Sequence, residues 1–280
     1  MIYYPHTDKF PYPEDTGSHY ITIKKDDGTV FDRNYPYVNC SRGFLFKQFL
    51  VRILLYIIVF PVACVRMGLR FEGRKNLKKH KEKLKKGVIS VCNHVHFWDY
   101  IAIMCGVRPF RTHVLAWDKN IRGENGTMMR WVGGIPIPEG DIHATGAFNR
   151  SIKNLLSGGG WLHVYSEGSM WEYYCPIRPF KPGAAYLACR NNKPLLPLAI
   201  SYRKPGFIRR KIFRQIALLT LHIGEPLYPN DALRGEERER DLTIRSHDAV
   251  CRLAGIDPAK NPYPPVYQNS TKAEYEEVWK

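Results

Sequence analysis

The chain has few acidic residues for its size and a large excess of basic ones. Its 26 Asp and Glu side chains stand against 42 Lys and Arg, for a formal net charge of +16 at pH 7. Such an excess says little about fold, but it favours acidic partners such as nucleic acid, anionic lipid headgroups or an acidic carrier protein. The seven cysteines show no paired spacing and are odd in number. They argue against a disulfide framework and for reduced thiols in a cytosolic setting.

The sequence also lacks a secretory signal, a central linker and an internal repeat. It does not open with a basic stretch followed by an apolar core, so we expect no secretory leader. With 280 residues and 44% hydrophobic content, the chain is long enough to bury a full core. We therefore expect one catalytic-sized domain with extensions rather than two equal domains.

Long apolar runs are scarce, and the densest one covers only residues 53–65. As a helix it would reach about 20 Å, short of the roughly 30 Å hydrocarbon core, and Pro61 would interrupt its hydrogen bonds. We predict that residues 44–75 form a membrane-associating helical segment that dips into one leaflet. A spanning helix would need snorkelling arginines and bilayer thinning, and a buried core helix is the third alternative.

A strongly basic block follows the apolar run, at residues 70–87. Cations beside an apolar segment attract an anionic leaflet, at about 1 kcal/mol each near the surface, and are typical of the cytoplasmic side. A solvated, charged helix would show the same composition. We predict a peripheral or monotopic protein at the cytoplasmic face of the membrane.

The rest of the chain divides by pattern. We predict that residues 1–43 form an extension with a hairpin, in which strands 20–23 and 29–31 flank an Asp-Asp-Gly turn. Residues 76–230 alternate short apolar strands with helical stretches, which indicates an α/β catalytic domain. Residues 231–280 read as a charged helix followed by a Pro-rich tail.

The stretch around His94 carries the most chemical information. His94 directly follows an apolar strand, and Asp99 comes five residues later. On one continuous helix, five residues turn about 500°, which would leave these side chains some 140° apart. They can meet only if His94 lies in the turn before a helix and Asp99 in its first turns. A carboxylate on one ring nitrogen would then fix the tautomer, and the other nitrogen could take a proton from a hydroxyl.

A second candidate stretch, Tyr-Ser-Glu-Gly-Ser at 165–169, follows another predicted strand. A carboxylate followed by glycine in a strand-end turn suits hydrogen bonding to a polyol or a lipid headgroup. Taken alone, Glu167 and Gly168 would equally fit a plain surface turn.

Several stretches together resemble the glycerolipid acyltransferase family, whose best-known members acylate lysophosphatidic acid. The similarity rests on their order and spacing between about residues 71 and 227, since no single block is decisive. The blocks are Asn93-His94 with Asp99, Gly-Gly-Ile-Pro-Ile-Pro at 133–138, the stretch 165–169, Phe-Lys-Pro-Gly-Ala at 180–184, Lys-Pro-Leu-Leu-Pro-Leu at 193–198, and His-Ile-Gly-Glu-Pro-Leu at 222–227.

This resemblance implies an α/β fold, a mixed sheet flanked by helices with an N-terminal membrane-dipping helical segment. It implies transfer of a fatty acyl chain from acyl-CoA or acyl-carrier protein to a hydroxyl of a lysophospholipid-type acceptor in phospholipid synthesis. His94 would be the general base and Asp99 its orienting partner. Glu167 and Gly168 would lie at the acceptor, and Lys181 near anionic headgroup oxygens, which suits its charge.

The resemblance implies no acyl-enzyme, and we expect neither a cofactor nor a metal. Cys92 is therefore expected to be a core residue at a strand end rather than a nucleophile. His94 and His96 form a His-x-His pair, but two ligands are too few for a metal site, and no Cys or acidic pair nearby completes one. We expect membrane lipids and the acyl donor as partners.

The chain departs from the family pattern where an acceptor phosphate would bind. The second block normally ends in arginine, and here that position is Glu139. The third normally reads Phe-Pro-Glu-Gly-Thr-Arg, and here Ser166, Ser169 and Met170 replace the proline, threonine and arginine. These replacements put a phosphomonoester acceptor in doubt. Other cations are candidates to substitute: Lys119, Arg122, Arg130, Arg150 and Lys181.

Three alternatives follow from these departures and from the charge. The protein could acylate a lipid acceptor without a phosphomonoester, or be a catalytically inactive family member that binds lipid. The altered third block favours inactivity, and the intact His94–Asp99 pair opposes it. Nucleic-acid binding is suggested by the charge and by Arg-Arg-Lys at 209–211, but no motif of a nucleic-acid-binding fold accompanies it, so we expect no nucleic-acid partner.

Overall fold

A computed structural model of the chain describes residues 3–5, 12–19 and 26–267. Within them, seven strands form one sheet: β1 (Arg70–Glu72), β2 (Val88–Val91), β3 (Thr112–Ala116), β4 (Gly134–Pro136), β5 (Trp161–Val164), β6 (Leu195–Arg203) and β7 (Leu218–Ile223). The strand order is β1-β7-β6-β2-β5-β3-β4. Only the β6–β7 pair is antiparallel among these neighbours. The predicted mixed α/β sheet is confirmed.

The helices alternate with the strands along most of the chain. They are α1 (Arg42–Leu54), α2 (Phe60–Met67), α3 (Arg74–Lys79), α4 (Lys81–Leu84), α5 (Asp99–Gly106), α6 (Asp118–Arg122), α7 (Gly126–Trp131), α8 (Ile142–Ser157), α9 (Gly183–Asn191), α10 (Phe207–Lys211) and α11 (Gly235–Ala254). A π-helical turn, Leu55–Val59, joins α1 to α2, and a short 3₁₀ helix, Pro258–Lys260, follows α11.

Helices cover both faces of the sheet. Because successive side chains of a strand point to opposite sides, each strand contributes to two cores. In β2, Ile89 and Val91 pack in the core under α8, α9 and α11. Val88 and the adjacent Cys92 pack in the other core, with α2, α3, α4 and α5. Burial on both faces explains why these strands read as continuous apolar runs in the sequence.

The N-terminal helix is longer than the helix predicted from the apolar run at residues 53–65. Helix α1, the π-helical turn and α2 form one continuous helix, Arg42–Met67, of 26 residues. At 1.5 Å per residue it reaches about 39 Å, so its length and composition are sufficient to cross a membrane. The chain therefore stays helical through Pro61, the second residue of α2. The regular α-helical hydrogen bonding is interrupted just before it, at the π-helical turn Leu55–Val59, a feature found at kinks and irregularities of helices.

One face of this helix contacts the domain and the other carries exposed apolar side chains. Leu55 and Phe60 pack against Met104, Cys105 and Val132. Only 22% of its most apolar 18 residues are buried, so an ordinary core helix does not fit. The exposed apolar residues of the helix are Leu45, Phe46, Phe49, Leu50, Ile53, Leu54, Tyr56, Ile57, Ile58, Val62 and Val65.

The N-terminal extension contains no hairpin in its described part. The first expected strand lies within residues 20–25, outside the described residues, and residues 29–31 form no strand. The Asp27 carboxylate accepts from the Thr29 N–H at 2.9 Å, a local turn that competes with strand pairing. The Phe31 side chain instead joins the main core.

The boundaries of the sheet also differ from those that the sequence suggested. Strand β1 pairs with β7, so the sheet begins at Arg70, inside the segment 44–75 and before the expected boundary at residue 76. Helix α11 lies in the expected C-terminal region 231–280, yet Leu242 and Val250 belong to the main core. The C-terminal helix is therefore part of the same folded unit.

Candidate active site

The site lies at the carboxyl ends of β2 and β5. These two strands are parallel neighbours, with Val91 opposite Val164, so the turns that follow them meet at one edge of the sheet. His94 lies in the turn after β2, and Asp99 is the first residue of α5. This is the turn-then-helix arrangement that the five-residue spacing required.

His94 and Asp99 form a short pair in which the carboxylate is buried and the imidazole is partly exposed. The His94 Nδ1 atom lies 2.6 Å from Asp99 Oδ2, and the Val95 N–H also donates to that oxygen at 3.3 Å. The Asp99 side chain is 2% exposed and the His94 side chain 25% exposed. Because Nδ1 is held by the carboxylate, the tautomer with Nδ1–H is favoured, and Nε2 is left as the nitrogen that can accept a proton.

Tyr165 completes this pair and was not singled out from the sequence. Its hydroxyl donates to Asp99 Oδ1 at 2.6 Å, and its ring stacks on the His94 imidazole with centroids 3.8 Å apart. Burial alone would raise the pKa of Asp99, but the charge of His94 and the hydrogen bonds from His94 and Tyr165 outweigh it. The pKa of this carboxyl therefore lies below its ordinary value, so Asp99 is ionised at neutral pH.

The turn that carries His94 is fixed on several sides. The Asn93 side chain bonds both the N–H and the C=O of Ile200 on β6, at 2.8 and 3.0 Å. The Trp171 N–H donates to the His94 carbonyl at 3.0 Å and the Tyr173 N–H to that of Val95 at 2.8 Å. The catalytic candidates are thus held by β6 and by the loop after β5.

Glu167 is buried against the backbone of the turn that carries His94. Its carboxylate accepts from the His94 N–H at 3.0 Å and from the Arg178 N–H at 2.9 Å. The Arg178 guanidinium pairs with it at 2.9 Å, and both side chains are 1% exposed. These contacts give Glu167 a positioning role toward His94, and contact with an acceptor stays a prediction.

Arg178 was also missed by the sequence analysis. Its guanidinium donates to Ser169 Oγ at 2.8 Å and to the Thr16 carbonyl at 3.0 Å, besides the pair with Glu167. The motif arginine would have been at Met170, eight residues earlier in the chain. A buried guanidinium with all these protein partners is committed to the loop, so it does not replace an arginine that binds phosphate.

Gly168 and Lys181 lie side by side. Gly168 has a φ of +82°, and a Cβ there would lie 3.0 Å from Lys181 Nζ. Both the left-handed backbone and the close approach of the lysine therefore require glycine. The Lys181 N–H donates to the Ser166 carbonyl at 2.8 Å, and the Lys181 ammonium lies 5.2 Å from the Tyr267 ring centroid.

Residues 12–19 pack on this loop, although the sequence analysis assigned the extension no chemistry. The Tyr12 ring stacks on Trp171 at 5.2 Å, and His19 stacks on Trp117 at 3.6 Å. Burial lowers the pKa of His19, followed by the positive charges of Lys181, His94 and Lys119. No sequence signal pointed to His19.

Two of the candidate substitute cations are already paired elsewhere. Arg122 bridges Asp118 at 3.1 Å and Asp26 at 3.6 Å. Arg130 lies 3.4 Å from Asp27. Both therefore contact the N-terminal extension. Of the five candidates, Lys181 and Lys119 are the ones whose charges, after burial, help to lower the pKa of His19, as the charge of His94 also does.

Three further titratable groups near the site, His96, His163 and Cys92, are held neutral by burial. Burial lowers the pKa of His96 to about 4 and that of His163 to about 3. Burial likewise raises the pKa of the Cys92 thiol, so this group is a poor nucleophile. His96 Nδ1 accepts from the Trp98 N–H at 3.0 Å, which ties the ring to its own turn.

Comparisons with known proteins agree with this architecture. A family model described as Acyltransferase matches residues 68–201. The 1-acyl-sn-glycerol-3-phosphate acyltransferase of Bacillus subtilis (strain 168) is 23% identical over 180 residues, which are 64% of this chain and 83% of that protein. The crystal structure of the 1-acyl-sn-glycerophosphate (LPA) acyltransferase PlsC from Thermotoga maritima is similar with a TM-score of 0.51 and 20% identity. The aligned region is 78% of this chain and 83% of the Thermotoga maritima chain.

The mixed sheet and the matched region define the class as an α/β acyltransferase domain, and the region 68–201 contains His94, Asp99, Glu167, Gly168 and Lys181. The three comparisons support an enzyme of the acyltransferase class that is similar to the glycerolipid acyltransferases in sequence and fold.

Proposed function

We propose that this enzyme transfers a fatty acyl chain from a thioester donor to a hydroxyl of a lysophospholipid-type acceptor, with His94 as the general base. One observation carries the proposal. The His94 ring is fixed by Asp99 through Nδ1 at 2.6 Å, while a quarter of its side chain, 25%, is exposed. A buried carboxylate and a partly open imidazole are the arrangement that general-base catalysis needs.

The reaction follows from this geometry. Nε2 of His94 takes the proton of the acceptor hydroxyl as the oxygen attacks the thioester carbonyl. The ionised Asp99 stabilises the imidazolium that forms. The tetrahedral intermediate then collapses to the ester and expels a thiolate, which takes the proton back from His94. The proton taken from the hydroxyl ends on the thiol product, and His94 is again neutral. These steps use only the acyl donor, the acceptor and side chains of the protein.

The donor is acyl-CoA or acyl-carrier protein. Both are acidic, and the net charge of +16 favours their approach to the protein. Nothing in the site distinguishes one thioester from the other, because the same acyl–sulfur bond is broken in both.

Attachment to the cytoplasmic face of the membrane is the second part of the proposal. The exposed apolar face of Arg42–Met67 and the packing of its other face on α5 and α7 support a helix that lies along the surface of one leaflet. A helix that crossed the bilayer would be surrounded by lipid rather than packed lengthwise on its own domain. At the membrane surface the enzyme could bind its lipid acceptor without removing the whole lipid from the bilayer.

A lipid acceptor without a phosphomonoester is the second candidate. The observation in its favour is that Glu139 is exposed and that Arg178 is committed to Glu167. The positions of both motif arginines therefore lack a guanidinium that could bind phosphate. Lys119 and Lys181 are the residues through which a phosphomonoester would still be held.

A lipid screen tests the proposed function. Purified protein is incubated with a labelled acyl-CoA, or with acyl-carrier protein, and a mixture of lysolipids in vesicles, and the products are identified by mass spectrometry. We expect a single class of acylated lipid that depends on His94. Hydrolysis of the thioester without an acylated lipid, or no turnover with either donor, would contradict the proposal.

A further inference from the structure

The connection between β6 and β7, residues 204–217, exposes an unusual combination of side chains. It contains five cations, Lys204, Arg209, Arg210, Lys211 and Arg214, and no acidic residue. Interleaved with them are four large apolar residues with exposures between 56% and 70%: Phe207, Ile208, Ile212 and Phe213. Four such side chains grouped on one short loop indicate a contact surface rather than scattered exposure.

This loop is docked on the end of the apolar helix. The Gln215 side chain donates to the Arg66 carbonyl at the last turn of α2, and Arg209 Nη1 approaches the same oxygen at 3.4 Å. The guanidinium of Arg203, at the end of β6, donates to the carbonyl of Gly68, where α2 ends. The loop therefore adjoins the end of α2, a helix whose Val62 and Val65 side chains are exposed.

The fixed position of the loop follows from the close approach at Gly68. This residue caps α2 with a φ of +56°, and a Cβ there would lie 3.1 Å from Leu218, the first residue of β7. Glycine lets the helix end and the strand pack directly against each other. The loop and the end of the helix, which both carry exposed apolar side chains, are therefore held next to each other.

We propose that the loop 204–217 is a second membrane contact, which inserts its apolar side chains into an anionic leaflet while its cations bind lipid phosphates. The proposal goes beyond acyl transfer and rests only on the attachment proposed for the N-terminal helix. Apolar side chains alternating with Lys and Arg are the composition of interfacial anchors. Nucleic acid would use the cations and could stack on phenylalanine, but it gives no role to exposed isoleucines.

Vesicle sedimentation of the full chain tests the cationic part. Arg210→Gln with Lys211→Gln should weaken binding to vesicles of phosphatidylcholine with phosphatidylserine by about tenfold or more, since each cation contributes to attraction by an anionic surface. The matched control is Arg150→Gln with Lys153→Gln on α8, which lies on the opposite face of the sheet from α2. The control should change binding by less than about twofold. Equal losses in both variants would mean that only net charge matters and would overturn the proposal.

A site-specific probe tests insertion directly. In a Cys40→Ser background, an environment-sensitive dye is attached at Phe207→Cys or Phe213→Cys, and at Lys153→Cys as the control. Anionic vesicles should blue-shift the emission of the two loop probes and leave the control unchanged. Loop probes that stay in water while the protein sediments with vesicles would overturn the proposal, as would a gel shift with nucleic acid that the loop cations alone control. The assay contains no acyl donor, so it can fail while acyl transfer succeeds.

Discussion

At the scale of single residues, the central feature is a histidine whose ring position is set by its neighbours. Asp99 accepts from His94, from the Val95 backbone and from Tyr165, which satisfies both carboxylate oxygens. A buried carboxylate needs such partners, because an unpaired buried charge is strongly destabilising. The same contacts that stabilise Asp99 therefore orient His94.

Asp99→Asn should lower kcat by at least about a hundredfold, because the amide cannot stabilise an imidazolium and permits the wrong tautomer. Tyr165→Phe removes one hydrogen bond from the carboxylate but leaves the contact with His94, so its loss should be about tenfold or less. Steady-state kinetics on the lipid identified in the screen would compare the two. An Asp99→Asn enzyme within threefold of wild type would contradict the assigned role.

Arg178→Met should lower the free energy of unfolding by about 3–5 kcal/mol, because it leaves Glu167 charged and buried without its partner. Urea unfolding measures this change. Glu167→Gln combined with Arg178→Met removes both charges and should recover part of the loss. A change below about 1 kcal/mol for the single variant would show that the pair contributes no more than an exposed one.

Glu139→Arg with Met170→Arg should improve the use of lysophosphatidic acid, because a phosphomonoester carries close to two negative charges and prefers bidentate arginine contacts. The comparison is kcat/KM for lysophosphatidic acid against neutral and zwitterionic lysolipids. If the wild type already prefers lysophosphatidic acid by tenfold, about 1.4 kcal/mol, the inference from the missing arginines is wrong. Lys119→Gln and Lys181→Gln would then be the variants to examine.

At the scale of secondary-structure elements, the helix Arg42–Met67 has two distinct faces. If the proposed attachment is correct, removing residues 1–69 should release the protein from the membrane, but it would also remove Leu55, Phe60 and Met67, which are buried against the domain. A truncation therefore changes membrane attachment and folding stability at the same time. Substitutions on the exposed face of the helix test membrane attachment alone.

Phe46→Ser, Ile57→Ser and Val65→Ser together should move the enzyme from the membrane to the soluble fraction. Each side chain is exposed, so Tm should change by no more than a few degrees. Phe60→Ser is the matched control, since this buried residue should lower Tm instead. Cell fractionation measures membrane binding, and thermal unfolding measures Tm. A triple variant that remains fully membrane-bound with native Tm would contradict attachment through this face.

Cysteines introduced at Lys47 and Lys75 test whether the helix lies on the surface or crosses the membrane. Both positions flank the apolar run, and for a surface helix both should react with an impermeant thiol reagent from the cytoplasmic side. Labelling from opposite sides would show a spanning helix.

Several elements were predictable and others were not, for identifiable reasons. Strand β2 and helix α8 follow from apolar runs and periodicity, and the site pair His94–Asp99 from the turn that its spacing demands. The continuous N-terminal helix was not predictable, because Pro61 signals a break unless a π-helical turn precedes it. Arg178 was missed because its partner Glu167 is eleven residues away along an irregular loop, where no periodicity relates the two.

At the scale of the whole molecule, stability should depend on pH through buried histidines. Burial lowers the pKa of His163 to about 3, and that of His96 and His113 to about 4. The unfolded chain binds a proton at each below its ordinary value near 6.5, and the folded chain does not. Stability is therefore present above pH about 6.5 and is lost as pH falls toward 4, by up to about 1.4 kcal/mol per pH unit for each histidine.

His163→Gln should reduce this slope by about one proton, measured as the pH dependence of urea unfolding between pH 4 and 7. The side chain of His163 lies 2.9 Å from Ser90 Oγ, a contact that glutamine could keep. His143→Gln, at the exposed start of α8, is the control and should leave the slope unchanged. An unchanged slope in His163→Gln would contradict a neutral, buried histidine.

The most direct test of the account compares wild type and His94→Ala in single-turnover acyl transfer on anionic vesicles, with labelled thioester and the acceptor found by the screen. The account predicts a rate at least about a hundredfold lower in His94→Ala, measured at a temperature where both enzymes are folded. Vesicle binding should be unchanged, because His94 belongs neither to the helix Arg42–Met67 nor to the loop 204–217. A His94→Ala enzyme that transfers the acyl chain at near the wild-type rate would contradict it.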